Sequence, residues 1–292
     1  MIKRSKGEKV FNVFNIIFMI FLMIVTVYPI LHVVFASVSD SNELLAHRGL
    51  LLKPIGFNFA AYKMVFKNPM IVRGYLNTIF VVVAGVTVNI IMTSLAAYVL
   101  SRKDVLWKNT IMFFIVFTMF FSGGLIPFYL TVKALHIDNS YLALILPVAI
   151  NTFNLIIMRT SFAAIPDSLE ESAKLDGATH FTILFRIILP LSLPIVAVMV
   201  LYYSVFHWNA WFNAMIFIQD RSLYPLQIIL REILIQNDTS NMSTGVGVAD
   251  QEAIGESIKY ACIVVATLPI LCIYPFLQKY FVKGALVGAV KG

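Results

Sequence analysis

The chain has 292 residues, of which 60% are hydrophobic and only 13% are charged, about half the charged share of a typical globular domain. A soluble fold of this length has too little interior to hide that much apolar surface, so a purely soluble protein is excluded. The net charge of +7 does not mark a nucleic-acid binder, because the basic residues are spread over the ends of apolar runs and the segments between them.

Uncharged windows occur at 10–39, 74–101, 109–132, 139–158, 187–219 and 260–278. Each reaches or exceeds the roughly 20 residues that cross a hydrocarbon core of about 30 Å. They predict an all-α integral membrane protein with six transmembrane helices, over about 11–37, 75–99, 109–131, 139–160, 189–217 and 259–281, in one domain spanning residues 1–292. The first window follows Lys3, Arg4, Lys6 and Lys9, as in a signal peptide. It is about twice the roughly 7–15 residues of a signal h-region, so it reads as a retained helix.

An external segment with Pro54, Gly56 and Pro69 as breakers follows the first helix. A short basic turn, "SRKDVLWKN", joins the second and third. With the N-terminus inside, the cytoplasmic segments are denser in Lys and Arg than the longer external ones, although residues 38–73 run against the trend. Both termini are therefore expected in the cytoplasm. After the fifth span, Leu226, Ile229, Leu230, Ile233 and Leu234 recur at helical spacing and predict an external amphipathic helix. The Gly-rich stretch after it reads either as a mobile functional loop or as a solvated linker. Cys262 and Cys272 lie ten residues apart on one expected helix, about 15 Å, too far for a disulfide.

No GxxxxGK[ST] phosphate loop, HExxH motif or metal-site cysteine spacing is present, so no catalytic residues and no metal site are assigned. No Asp, Glu, Lys or Arg falls in the six windows. Intramembrane charges usually mark ion or proton pathways, so a coupled secondary transporter is the weaker alternative to a solute pump powered by another subunit.

The stretch "IPDSLEESAKLDGATHFTILFRIILP" interrupts the apolar pattern with Asp167, Glu170, Glu171 and Asp176. Asp167 suits a helix start, Gly177 suits a C′ position with positive φ, and an amphipathic run then leads to Pro190. Interfacial connectors favour Lys and Arg. Acid-rich composition points instead to a docking surface over residues 165–188. Glu171, Ser172, Ala173, Gly177, Ile187, Leu189 and Pro190 stand at the spacing of the EAA motif. On these residues the chain resembles the permease subunits of binding-protein-dependent ABC importers, with Ser172 where alanine is usual. "FSGGLIPFYLTVKALHIDNSYLALILP" and "HWNAWFNAMIFIQDRSLYPLQIILREIL" look like the lipoprotein-associated sugar permeases, and "QKYFVKGALVGAVKG" is similar to the tail of carbohydrate permeases.

The resemblance implies a type I importer permease fold with a cytoplasmic coupling helix and a homologous permease as partner. It implies two ATPase subunits that hold the ATP and Mg, and an external solute-binding lipoprotein that delivers an oligosaccharide. The chain itself would bind no cofactor and catalyse no reaction. Leu169, Glu171, Ala173, Leu175, Asp176 and Gly177 would dock the ATPase, with Glu170 at a solvent-exposed rim. Lys283, Gly284 and Gly288, in the tail 283–292, would also contact it. For the substrate path, Asn89, Asn151, Asn154, Tyr203, Trp208, Asn209 and Trp211 are candidates, as amide donors and aromatic faces that suit sugar hydroxyls and C–H faces. Interhelical hydrogen bonding and an interfacial aromatic belt explain the same residues equally well. A permease for another solute class remains an alternative.

Overall fold

The computed structural model describes residues 6–236 and 255–272. In chain order its helices are α1 (Lys6–Ser37), α2 (Ser41–Ala46), α3 (Ala60–Lys67), α4 (Pro69–Ser101), α5 (Lys108–Phe120), α6 (Leu125–Ala134), α7 (Leu142–Ile145, extended by one 3₁₀ turn to Val148), α8 (Thr152–Ala163), α9 (Asp167–Leu175), α10 (His180–Ile183, running through a π turn, Leu184–Ile188), α11 (Leu189–Leu191), α12 (Leu193–Asn209), α13 (Phe212–Phe217) and α14 (Leu226–Gln236), then α15 (Gly255–Cys272). Among the described residues there is no strand.

Three helices, α1, α4 and α15, are each long and apolar enough to span a bilayer. Three bent pairs meet the same test together: α5 with α6, bent by 116°, α7 with α8, by 51°, and the α10–α11 run with α12, by 88°. Among the described residues, six spans result when each pair counts as one. The uncharged windows alone do not show the breaks, although Pro147 and Pro194, within or at the ends of spans, are where local kinks are expected, and each break has a local cause. Between α5 and α6 lie Gly123 and Gly124, the latter at φ +87°. Pro147 ends the α7 run, and Pro190 and Pro194 flank Ser192 at the third break.

The chain divides into two compact units, Met1–Pro69 with Leu230–Leu268, and Met70–Ile229 with Pro269–Gly292. In the first, α1 is apolar all round and exposed along its length, the pattern of a helix facing lipid or another subunit. Its end holds the segment that follows. The Ser37 hydroxyl meets Tyr62 at 2.7 Å, the Leu51 amide donates to Tyr28, and Asp40 caps α2. His32, one of two intramembrane histidines, packs edge-on against Tyr260 of α15. Cys262 is buried and Cys272 exposed, both as free thiols.

In the second unit α4 is central. Gly74, Asn77, Thr78, Val81, Gly85, Asn89, Thr93, Ser94, Ala97 and Ser101 are all buried. They recur three or four residues apart and so share one face. Small and hydroxylated residues let helix backbones approach closely where lipid supplies no hydrophobic drive. Asn77 donates to the carbonyls of Ser222 and Tyr224 and accepts from Tyr141. Thr78 accepts from the Leu226 amide, starting α14 against α4. Leu226 and Ile229 are buried here, and Leu230 and Ile233 of the first unit are buried too, with Leu234 half-buried, on the spacing of an amphipathic helix.

Asn89 resolves the α7–α8 break. Its amide nitrogen donates to Val148 O at 2.6 Å and Ala149 O at 2.9 Å, two carbonyls that the break leaves unpaired. Its Oδ1 lies 2.7 Å from His207 Nε2. Since the amide nitrogen is spent on carbonyls, His207 Nε2 carries the proton. Broken helices survive in a membrane only when such side chains satisfy the freed backbone.

Candidate functional site: the acid-rich segment and an uncharged groove

The acid-rich helix α9 starts immediately after Pro166. Asp167 does not cap it: no side-chain cap bond is made there, and the carboxylate pairs with Lys103 at 2.6 Å instead. That pair holds the exposed Asp167 carboxyl below its usual range, chiefly through the Lys103 hydrogen bond. The C-terminus closes as a Schellman motif. Gly177 sits at φ +80°, its amide donates to Lys174 O, and the Ala178 amide donates to Ala173 O. Thr179 then caps α10 through the Thr182 amide.

Of the nine residues of α9, only Glu170 and Ala173 are buried. Glu170 is 6% exposed, which overturns its expected place at a rim. Its carboxylate pairs with Arg102, just beyond the end of α4, and with Lys174 at 3.1 Å, and accepts from the Tyr98 hydroxyl at 3.2 Å. Tyr98 also meets His180 Nδ1 at 3.0 Å. Burial opposes ionisation of Glu170, but the Lys174 and Arg102 hydrogen bonds and charges outweigh it and hold the carboxyl below the ordinary glutamate range. Ala173 joins the core cluster with Phe162, Met158 and Ile183. It is turned toward its own chain and away from the outer surface, so it does not offer the partner contact expected of it. Glu171, Asp176 and Gly177 are exposed, as are Leu169 at 43% and Leu175 at 90%.

The candidate path residues separate into two groups. Asn151, Asn154 and Tyr203 line one groove of about 430 Å³, together with Phe153, Tyr202 and Phe206. Its described lining contains no charged residue. Tyr203 is fixed there by Thr93 at 2.8 Å and by the Asn151 amide, and Asn151 caps α8 through the Asn154 amide. Asn89, Trp208, Asn209 and Trp211 are not part of this lining. Asn89 has every amide group engaged with the fold, Trp208 packs against Tyr75, and Asn209 donates to Val205 O within its own helix. Lys283, Gly284 and Gly288 lie outside the described residues, as do residues 237–250 of the expected loop.

The model of the family described as binding-protein-dependent transport system inner membrane component matches residues 89–287, and the chain belongs to that family. It is thus a transport permease subunit of the membrane and not an enzyme; in such importers the ATPase is a separate subunit. It is 45% identical over 274 residues to the polygalacturonan/rhamnogalacturonan transport system permease protein YtcP of Bacillus subtilis (strain 168), covering 92% of this chain and 94% of that protein. It is 43% identical over 290 residues to protein LplC of the same strain, covering 99% and 97%. A crystal structure of a bacterial ABC transporter involved in import of the acidic polysaccharide alginate contains a chain that matches with a TM-score of 0.87 and 29% identity, over 96% of this chain and all of that one.

Proposed function

We propose that this chain forms, with a homologous permease, the translocation path of an ATP-driven importer for acidic oligosaccharides, with both of its termini in the cytoplasm. The observation that carries the reading is the two-sidedness of α9, clamped to its own chain through Glu170 while Leu169, Glu171, Leu175 and Asp176 face outward. Such a surface suits a cytoplasmic ATPase: Glu171 supplies a charge for a basic partner and the leucines an apolar contact. Two ATPases closing on ATP and Mg would tilt the coupling helices and switch the path between inward and outward access, a rigid-body change. By resemblance, Lys283, Gly284 and Gly288 also reach the ATPases.

The substrate class rests on the two relatives whose names concern uronate-bearing polymers, polygalacturonan and alginate. The groove agrees in part. Its exposed Tyr202 and Asn151 side chains suit sugar hydroxyls, and Phe153 and Phe206 suit C–H faces. Its uncharged lining leaves the carboxylates to be recognised elsewhere, by the partner permease and the delivering lipoprotein. The test is uptake by the reconstituted importer of oligogalacturonate against a neutral maltodextrin of equal length. Preference for the uronate is expected; equal uptake, or preference for the neutral glucan, would remove the acidic assignment.

A further inference from the structure

A helix pushed by an ATPase moves a span only if it is fastened to that span. On α9 the buried fastening is narrow: Glu170 and Ala173 are its buried residues, Ala173 contributes a single methyl group, and the Asp167–Lys103 pair lies at the exposed edge. Arg102, the partner of Glu170, is held from several sides. The guanidinium Nε donates to Ser101 Oγ at 3.0 Å, Nη2 donates to Phe162 O at 3.1 Å near the end of α8, and Nη1 meets Glu170. Arg102 O in turn accepts from Lys108 Nζ at the start of α5. The end of α4, where Arg102 sits, carries the negative pole of the helix dipole and favours a cation. One planar fork therefore ties α4, α8 and α9 together, and only arginine has the donors to do it.

We propose that Arg102 and Glu170 are a positioning pair for transport, the clasp that makes α4 and α8 follow the coupling helix. An apolar contact of the same size would hold α9 down but let it slide along the ends of the spans. The directional fork does not. Glu171, which faces outward, takes no part in the clasp. The inference rests on the proposed docking of an ATPase on α9.

The experiment uses the assembled importer in proteoliposomes with its binding protein. It compares wild type, Glu170→Gln, Arg102→Gln, the double variant of these two, and the apolar pair Arg102→Met with Glu170→Leu. Both single variants are expected to assemble and hydrolyse ATP at the basal rate, with uptake per ATP lowered about tenfold. Two residues acting as one unit are non-additive, so the double variant should be no worse than the worse single. Where an orphaned charge prevents a single variant from assembling, the apolar pair decides, since it leaves no charge behind. Its assembly with poor coupling supports the clasp. Wild-type coupling in the singles or in the apolar pair, additive losses in the double, or failure of the apolar pair to assemble would each overturn it. If the wild-type chain brings down no ATPase at all, the docking reading fails instead, independently of the clasp.

Discussion

Glu170 and Glu171 are adjacent in sequence and lie in opposite environments: Glu170 is 6% exposed and paired with Arg102, while Glu171 is exposed. Consecutive helical residues differ by about 100° around the axis, enough to put one carboxylate inside and its neighbour outside. The two glutamates therefore have different failures. Glu170→Ala leaves the Arg102 charge buried and unpaired, which costs about 3–5 kcal/mol and lowers the melting temperature of the isolated detergent-solubilised chain. Glu171→Ala should leave that temperature unchanged and weaken ATPase binding, by about 2–5 kcal/mol if the charge pairs across the interface. Thermal unfolding and ATPase titration on the same preparations separate the two. Equal melting temperatures for both variants would contradict the inward placement of Glu170.

The same pair sets a pH dependence. Glu170 is ionised more readily in the folded chain than in an unfolded one, where a glutamate titrates near pH 4.3, about the reference value. A lowered folded value contributes stability above the unfolded pKa, and that contribution is lost as pH falls through the folded value. The facing groups are Arg102, Lys174, Tyr98 and His180. The melting temperature of wild type relative to Glu170→Gln should thus be a constant offset at pH 5 and above, shrinking only below about pH 4. An offset that vanished between pH 7 and 5 would contradict it.

Asn89 is expected to be structural. Asn89→Asp loses the two donors to Val148 O and Ala149 O, and each buried group left unsatisfied costs about 1–3 kcal/mol. Both Asn89→Asp and Asn89→Ala should lower the yield of folded protein. Asn154→Ala, in the groove, should instead raise the KM for uptake with little change in yield. Trypsin resistance of membrane-inserted chain and initial uptake rates report the two outcomes.

Gly85 sits against the same hydrogen-bonded pair. A Cβ there would lie 2.5 Å from His207 Nε2, and the ring cannot retreat without releasing Asn89. Gly85→Ala should therefore destabilise the chain, and His207→Ala should suppress part of the defect. A double variant whose loss equals the sum of the singles would show that no clash exists.

The bilayer explains why the spans were legible. A hydrocarbon core tolerates no unpaired charge, so uncharged runs of sufficient length reveal themselves in one dimension. The helix end at Gly177 was legible for a similarly local reason, a residue free to take positive φ. The sides of α9 were not. An acid reads as outward until a buried partner is known, and Arg102 is 68 residues away from Glu170. The one available hint was an arginine placed directly after the last residue of an apolar window. Pro147 and Pro194 marked two of the breaks as kink positions, but the bend at Gly124 and the size of every bend were hidden, because apolar composition is blind to direction. Asn89 was noticed as a polar residue in a span, but whether it serves a sugar or a backbone carbonyl depends on where α7 breaks.

Attachment of the ATPase to the outward face of α9 is tested by co-purification of the ATPase subunits, with the partner permease tagged, from membranes carrying Glu171→Ala combined with Leu175→Asp. Leu175 is 90% exposed, so the double variant should insert and pair with the second permease normally. Both permeases should be recovered at the wild-type level with little or no ATPase. ATPase recovered at the wild-type ratio would show that it attaches elsewhere.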